Sequence, residues 1–161
     1  MHLWDPPFCG DLDIVIKRDG SWSHEGRPIR RRELVKLFSS ILKKEDDRYY
    51  LVTPAEKVGI TVERCPFIII GMGVSQQNGV QVIRFHTSTD EQITADSEHH
   101  LAVEERGGND FPLPVIHVRD GMTGLLSRAV FYRLAEIAVE HEVKEAPRLG
   151  VFSSGIFFPL D

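Results

Sequence analysis

The chain has 161 residues, 42% of them hydrophobic and 27% charged, enough for one or two compact domains with a buried core. Its 24 acidic and 19 basic side chains leave a formal charge of −5, which excludes the broad basic face that drives non-specific nucleic-acid binding. The longest apolar run, Pro66 to Met72, is far shorter than the ~20 residues that cross a bilayer, Met1 to Pro7 holds no charged leader ahead of an apolar stretch, and Cys9 and Cys65 are too few for a disulfide scaffold, so the expectation is a cytoplasmic protein with free thiols and no membrane partner.

Residues 1–11 read as an extended arm, with Trp4 and Phe8 as apolar anchors. Asp13 to Lys17 alternates Ile14 and Ile16 with other residues, a strand signal, and Asp19-Gly20 follows as a tight turn into Ser21–His24. From Ile29 to Leu42 the spacing of Leu34, Leu37, Phe38, Ile41 and Leu42 predicts one apolar helical stripe, with Lys43-Lys44 opposing the macrodipole at its end. Glu45-Asp46-Asp47 then turns into an aromatic strand, Tyr49 to Thr53. Thr53-Pro54-Ala55-Glu56 has the form of a capping box and predicts one helical turn, cut short by Gly59.

Strands are expected at Ile60–Glu63, Phe67–Met72, Val80–Thr87 and Glu91–Ala95, with Asn78-Gly79 as one of the turns. Arg106-Gly107-Gly108-Asn109-Asp110 reads as a flexible loop before Phe111-Pro112-Leu113-Pro114. A second helix spans Ser127 to Glu142, with Ser127 as N-cap and Phe131, Leu134, Ile137, Ala138 and His141 along one side.

The order of these pieces repeats. Val15 to Gly20 and Val115 to Gly121 are each a strand ending in Arg-Asp-Gly, and each is followed by a helix and a returning strand. Superposing the helical patterns pairs Ile29 with Leu126, Arg31 with Arg128, Leu34 with Phe131, and Leu37 with Leu134. We therefore expect an α+β fold of duplicated strand-turn-helix-strand units with antiparallel sheets, an N-terminal half over residues 1–64 and a C-terminal half over 65–161, and a groove where the halves meet.

Several strings together resemble a bacterial family known as domain of unknown function 1285. They are Trp4-x-Pro6-x-Phe8-Cys9-Gly10, Asp19-Gly20-Ser21-Trp22, Gly26-x-Pro28-Ile29-x-Arg31, Leu37-Phe38-Ser39, Leu51-Val52-Thr53-Pro54-x-Glu56-Lys57 and Pro66-Phe67. In the second half the likeness rests on Arg119-Asp120-Gly121 and Ser127-Arg128-Ala129-Val130-Phe131-Tyr132. The resemblance implies a duplicated α+β fold whose C-terminal part looks like a pleckstrin-homology barrel, a ligand site between the halves, and a part in signal transduction. It brings no substrate, cofactor or catalytic residue.

The basic cluster Arg27, Arg30, Arg31 and Arg32 stands where a helix begins, against the dipole, and such a placement suits an anion site built from guanidinium forks and free amides. The bland alternative is a solvated face paired with Glu25 or Glu33. Asp19 and Asp120 recur in the repeat and invite a catalytic reading with His24 or His117, although Asp-Gly is also ordinary turn chemistry. His99-His100 on a strand would point to opposite faces and suit one metal ion poorly. Gly71-Met72-Gly73 lacks the third glycine of a dinucleotide fingerprint, and Ser153-Ser154-Gly155 is not a nucleophile elbow.

The leading expectation is a binding or regulatory protein that takes a small anionic ligand or a peptide, using Arg30, Arg31 and Arg128 for charge and Trp22 as a stacking wall, with no catalytic residue, metal, cofactor or specific nucleic acid. The rivals are a small hydrolase or transferase built on Asp19 or Asp120, and an interaction module that captures a strand at Val80–Thr87.

Overall fold

The computed structural model describes residues 4–104 and 113–161. The loop expected at Arg106–Asp110, Phe111-Pro112 after it, and the first three residues of the arm lie outside the described residues. The chain divides into two compact units: Met1–Pro66 with Asp120–Met122, and Phe67–Arg119 with Thr123–Asp161.

The first unit carries β1 (Phe8–Ile16), β2 (Trp22–His24), β3 (Arg27–Pro28), α1 (Arg32–Ser40), β4 (Leu42–Glu45), β5 (Arg48–Val52) and β6 (Lys57–Val62). Its six strands form one sheet in the order β3-β2-β1-β6-β5-β4. Ile14, Ile16, Leu42, Leu51, Val52 and Val58 are buried on it, and the Trp22 ring stacks on Phe38 of α1 at 6.1 Å and 26°. α1 is thereby fixed to the sheet by an aromatic pair rather than by its own short length.

The second unit carries β7 (Phe67–Gln77), β8 (Val80–Thr87), β9 (Gln92–Thr94), β10 (Leu101–Glu104), β11 (Leu113–Arg119), β12 (Met122–Leu126), α2 (Arg128–Glu136), β13 (Val139–Val143), β14 (Ala146–Ser153) and β15 (Ile156–Pro159). Six strands are ordered β10-β11-β12-β7-β8-β9, and β13-β14-β15 form a three-stranded sheet. Val130 and Leu134 of α2 are buried, as are Phe85, Ile116 and Phe158. With 56% strand and two helices among the described residues, the protein is a β-rich α+β fold, and no helix among the described residues is long and apolar enough to cross a membrane.

The duplicated order is present, with the short strand β3 as an addition in the first copy: strand, turn, strand, helix, then a hairpin and a final strand, as β1-β2-(β3)-α1-β4-β5-β6 and β11-β12-α2-β13-β14-β15. Four details differ from the sequence reading. The sheets are mixed, because β1 runs parallel to β6 and β12 parallel to β7. Both helices stop early. Leu42, expected in α1, and Lys43 and Lys44, expected at its end, pair with Leu51, Tyr50 and Tyr49; Val139 to Glu142, expected in α2, pair with Gly150 to Pro147. In each copy the two-residue turns Asp46-Asp47 and Lys144-Glu145 close a hairpin that takes residues whose pattern also suited a helix.

Capping the two helices on their N-caps aligns Arg31 with Ser127, and hence Arg32, not Arg31, with Arg128. One residue of slip turns a side chain by about 100° around the axis. Finally, Thr53 does accept from Ala55 N and Glu56 N at 3.3 and 3.1 Å, but no helix follows. Val52 pairs directly with Lys57, so the four residues between them have room only for a capped turn.

The edge of β8, expected as a capture site, is closed from within. Arg84 to His86 pair with β9. Ahead of them Ile83 N donates to Ser153 Oγ at 2.9 Å, Ser154 N donates to Gln81 O at 2.9 Å, and Gln81 Nε2 donates to Phe152 O at 2.8 Å. Ser153 Oγ, fully buried, donates in turn to Ala95 O at 2.8 Å. Ser153→Ala leaves the Ile83 amide without its acceptor in the core, and urea unfolding should show a loss of about 1–3 kcal/mol. A loss below a few tenths would show that this bridge does not hold the hairpin to β8.

Candidate functional site

Ile29 N donates to Trp22 O at 2.9 Å, which keeps the chain extended until Arg31, the N-cap of α1. Ser127 caps α2 by accepting from Val130 N at 3.3 Å, whereas Arg31 makes no side-chain cap. Arg27, Arg30 and Arg31 are exposed, and none forms an ion pair with a described residue. Beside them His24, Glu25, Arg27, Pro28 and Ile29 line an open depression of about 500 Å³. Arg128 opens α2, likewise exposed and without an ion pair among the described residues. Trp22 is only 4% exposed, so its ring belongs to the core against Phe38. What it lines is a hollow of about 190 Å³ shared with Lys17, Ser21, Ser23, Gly26 and Pro28.

The carboxylates of the two Asp-Gly turns behave as turn residues. Asp19 accepts from Ser21 Oγ at 2.6 Å and Ser21 N at 2.9 Å, and these bonds hold its carboxyl below the usual range. A general acid needs the opposite shift. Asp120 has φ 52° ahead of Gly121, the left-handed pair of a two-residue hairpin turn, while Asp19 sits within the longer Lys17–Ser21 turn. The same three letters therefore fold into two different turns.

His99 Nδ1 lies 2.9 Å from Asp96 Oδ1, His117 Nδ1 lies 3.0 Å from Glu98 O, and the two rings stack at 6.4 Å. Partial burial is the largest influence on Asp96 and pushes it up, but hydrogen bonds from the His99 side chain and the Glu98 and His99 amides together bring it below the usual range. No group of three metal-ligating side chains occurs among the described residues. Neither cysteine forms a disulfide; Cys65 is buried, and Cys9 is exposed rather than packed. Gly71 serves packing: a Cβ there would lie 2.0 Å from His86 Cε1, because the imidazole rests flat on the glycine.

A second charged cluster, not visible in the sequence, is built on β1, β5 and β6. Arg48 Nη2 donates to Asp11 Oδ1 at 2.9 Å, and its guanidinium lies 5.4 Å from the Tyr50 ring and 5.8 Å from Phe8. Lys57 sits 4.4 Å over the same Tyr50 ring and pairs with Glu45, which also takes Lys43 at 3.2 Å. The hydrogen bond from Lys57 holds Glu45 below its usual range and raises Lys57 in return. Gly59 underlies the pair, since a Cβ there would meet Asp11 Oδ1 at 2.1 Å. Asp11, Leu12, Asp47, Arg48, Tyr49 and Gly59 border a cleft of about 330 Å³. The only hint in the sequence was Arg48 flanking two tyrosines; its partners Phe8, Asp11 and Gly59 are remote along the chain.

Because the folded pKa of Asp19 is depressed, the stability it contributes is present above its unfolded value near 3.8 and is lost as pH falls through the folded value. The stability difference between wild type and Asp19→Ala should be full at neutral pH and shrink below pH 3.8. Urea midpoints measured across the acid range check this; a difference that stays constant would show that the carboxylate charge contributes nothing to the turn.

The N-terminal domain of DUF1285, a domain of unknown function, matches residues 1–65, and the C-terminal domain of DUF1285, a protein of unknown function, matches residues 66–160. The chain is similar to a crystal structure of a DUF1285 family protein from Silicibacter pomeroyi DSS-3, with 44% identity and a TM-score of 0.89 over 99% of this chain and 85% of that one. It is similar also to a DUF1285 family protein from Shewanella baltica OS155, with 28% identity and a TM-score of 0.59 over 78% of this chain and 91% of that one. A search of curated proteins finds no match. With the two domain matches following one another along almost the entire sequence, the chain belongs to the DUF1285 family.

Proposed function

We propose that this protein is a cytoplasmic binding and regulatory protein in signal transduction, which takes a small anionic ligand or an acidic peptide at the arginines ahead of α1. The observation that carries the reading is the state of Arg30 and Arg31: exposed, without an ion pair among the described residues, and close in sequence to the His24–Ile29 depression. Guanidinium groups left without a carboxylate keep their planar donor forks available for phosphate or carboxylate. The Arg31 N-cap supports the same reading, because it brings no side-chain acceptor of its own to the first turn of α1. Arg128 offers a similar guanidinium at the start of α2 in the other unit. No chemistry on the ligand is part of this reading.

A thermal-shift series with inorganic phosphate, ADP and succinate tests the proposal. A ligand at 100 times its Kd stabilises the folded state by about 2.7 kcal/mol, or roughly 5–10 °C for a chain of this size. The double variant Arg30→Ala/Arg31→Ala should lose that rise while melting close to wild type without ligand, since both side chains are exposed. If no anion stabilises the wild type, or the double variant responds equally, the arginines are a solvated face and the proposal is wrong.

A further inference from the structure

We propose that the cleft beside Arg48 is a second binding site, for a small zwitterion bearing one ammonium and one carboxylate: a free amino acid with an apolar side chain. The cleft lies wholly within the first unit and is separate from the arginines of α1 in the residues that line it. Its origin is a break in strand register. Asp11 pairs with Gly59 and Val15 with Thr61, so Leu12, Asp13 and Ile14 stand opposite Ile60 alone. Such bulges bend a strand away from its neighbour and re-aim its side chains. The space left is about 330 Å³, at the lower end of the ~300–1,000 Å³ of small-molecule sites.

Arg48 is held in place before any ligand arrives. Asp11 takes one N–H on Nη2, the Tyr50 and Phe8 rings lie 5.4 and 5.8 Å from the guanidinium carbon, and the side chain is still 57% exposed. A guanidinium has five N–H donors, so most of the fork remains open on a group whose rotamer is already restricted. The charge count then selects the ligand. Arg48 is one cation against two carboxylates, Asp11 and Asp47, on the rim. A dianion such as phosphate meets an excess of negative charge, and a plain amine leaves the open side of Arg48 unmatched. A zwitterion satisfies both: its carboxylate takes the free donors of Arg48, and its ammonium takes the rim carboxylates.

Leu12, 43% exposed, offers the apolar contact for the side chain.

The test uses the whole chain and four probes: leucine, 4-methylpentanoate as the carboxylate alone, isoamylamine as the amine alone, and inorganic phosphate. Leucine should shift the amide resonances of Leu12, Arg48, Gly59 and Thr61, and each half-molecule should bind roughly tenfold more weakly or worse, as expected for the loss of a charge-assisted contact. Arg48→Gln and Asp47→Asn should each weaken leucine by a similar factor, while Arg30→Ala/Arg31→Ala leaves it unchanged. Should Arg48→Gln fail to fold, Asp47→Asn on its exposed turn and the half-molecules still decide. The proposal is overturned if leucine perturbs none of these amides, if a half-molecule or phosphate binds as well as leucine, or if Asp47→Asn binds leucine like wild type.

Discussion

Backbone hydrogen bonding is the constraint on which this fold depends. With two nine-residue helices and so much strand among the described residues, the chain must match its buried amides across strands, and an unmatched pair in the core is costly. In each unit the solution is the same: a short helix laid after a strand pair, ended at once by a two-residue hairpin, with a further strand closing the motif. Parallel contacts, β1 with β6 and β12 with β7, join strands that several other elements separate in sequence, the long connection that parallel pairing requires. Where regular pairing runs out along β8, Ser153 supplies the missing acceptor from a side chain.

Two kinds of arginine emerge from this framework. Arg48 is a fixed group, flanked by aromatic rings and tied to Asp11 above a glycine that leaves room for the pair. Arg30 and Arg31 are the reverse, placed at a helix start without an ion pair to any described residue. Exposed ion pairs contribute little to stability, so neither placement is explained by folding energetics alone. A restricted guanidinium selects among ligands by shape and charge balance, and uncommitted ones attract anions more generally.

Much of the architecture was legible in the residues. The two Arg-Asp-Gly turns, the paired helical stripes and the Asn78-Gly79 hairpin are local signals, and local signals determine which element forms. Helix ends were not legible. Leu42 to Lys44 continue the periodicity of α1 as well as any helix would, and only their pairing with Tyr49 to Leu51 shows that they are strand. Thr53 to Glu56 carried a cap and proline suited to a helix, but the pairing of Val52 with Lys57 left no length for one. Trp22 looked like a surface ring beside arginines because nothing in the sequence reveals that Phe38 lies against it.

What the sequence determined by itself was the repeated order of elements, the acidic balance with its local basic cluster, and membership in a family legible from short strings, since all of these are properties of neighbouring residues. The tertiary structure alone decided which strands run parallel, which aromatic rings are core, and that Asp11, Arg48 and Gly59 meet at one cleft. Those outcomes depend on contacts between residues tens of positions apart, and such contacts leave no mark in local spacing until the sheets are assembled.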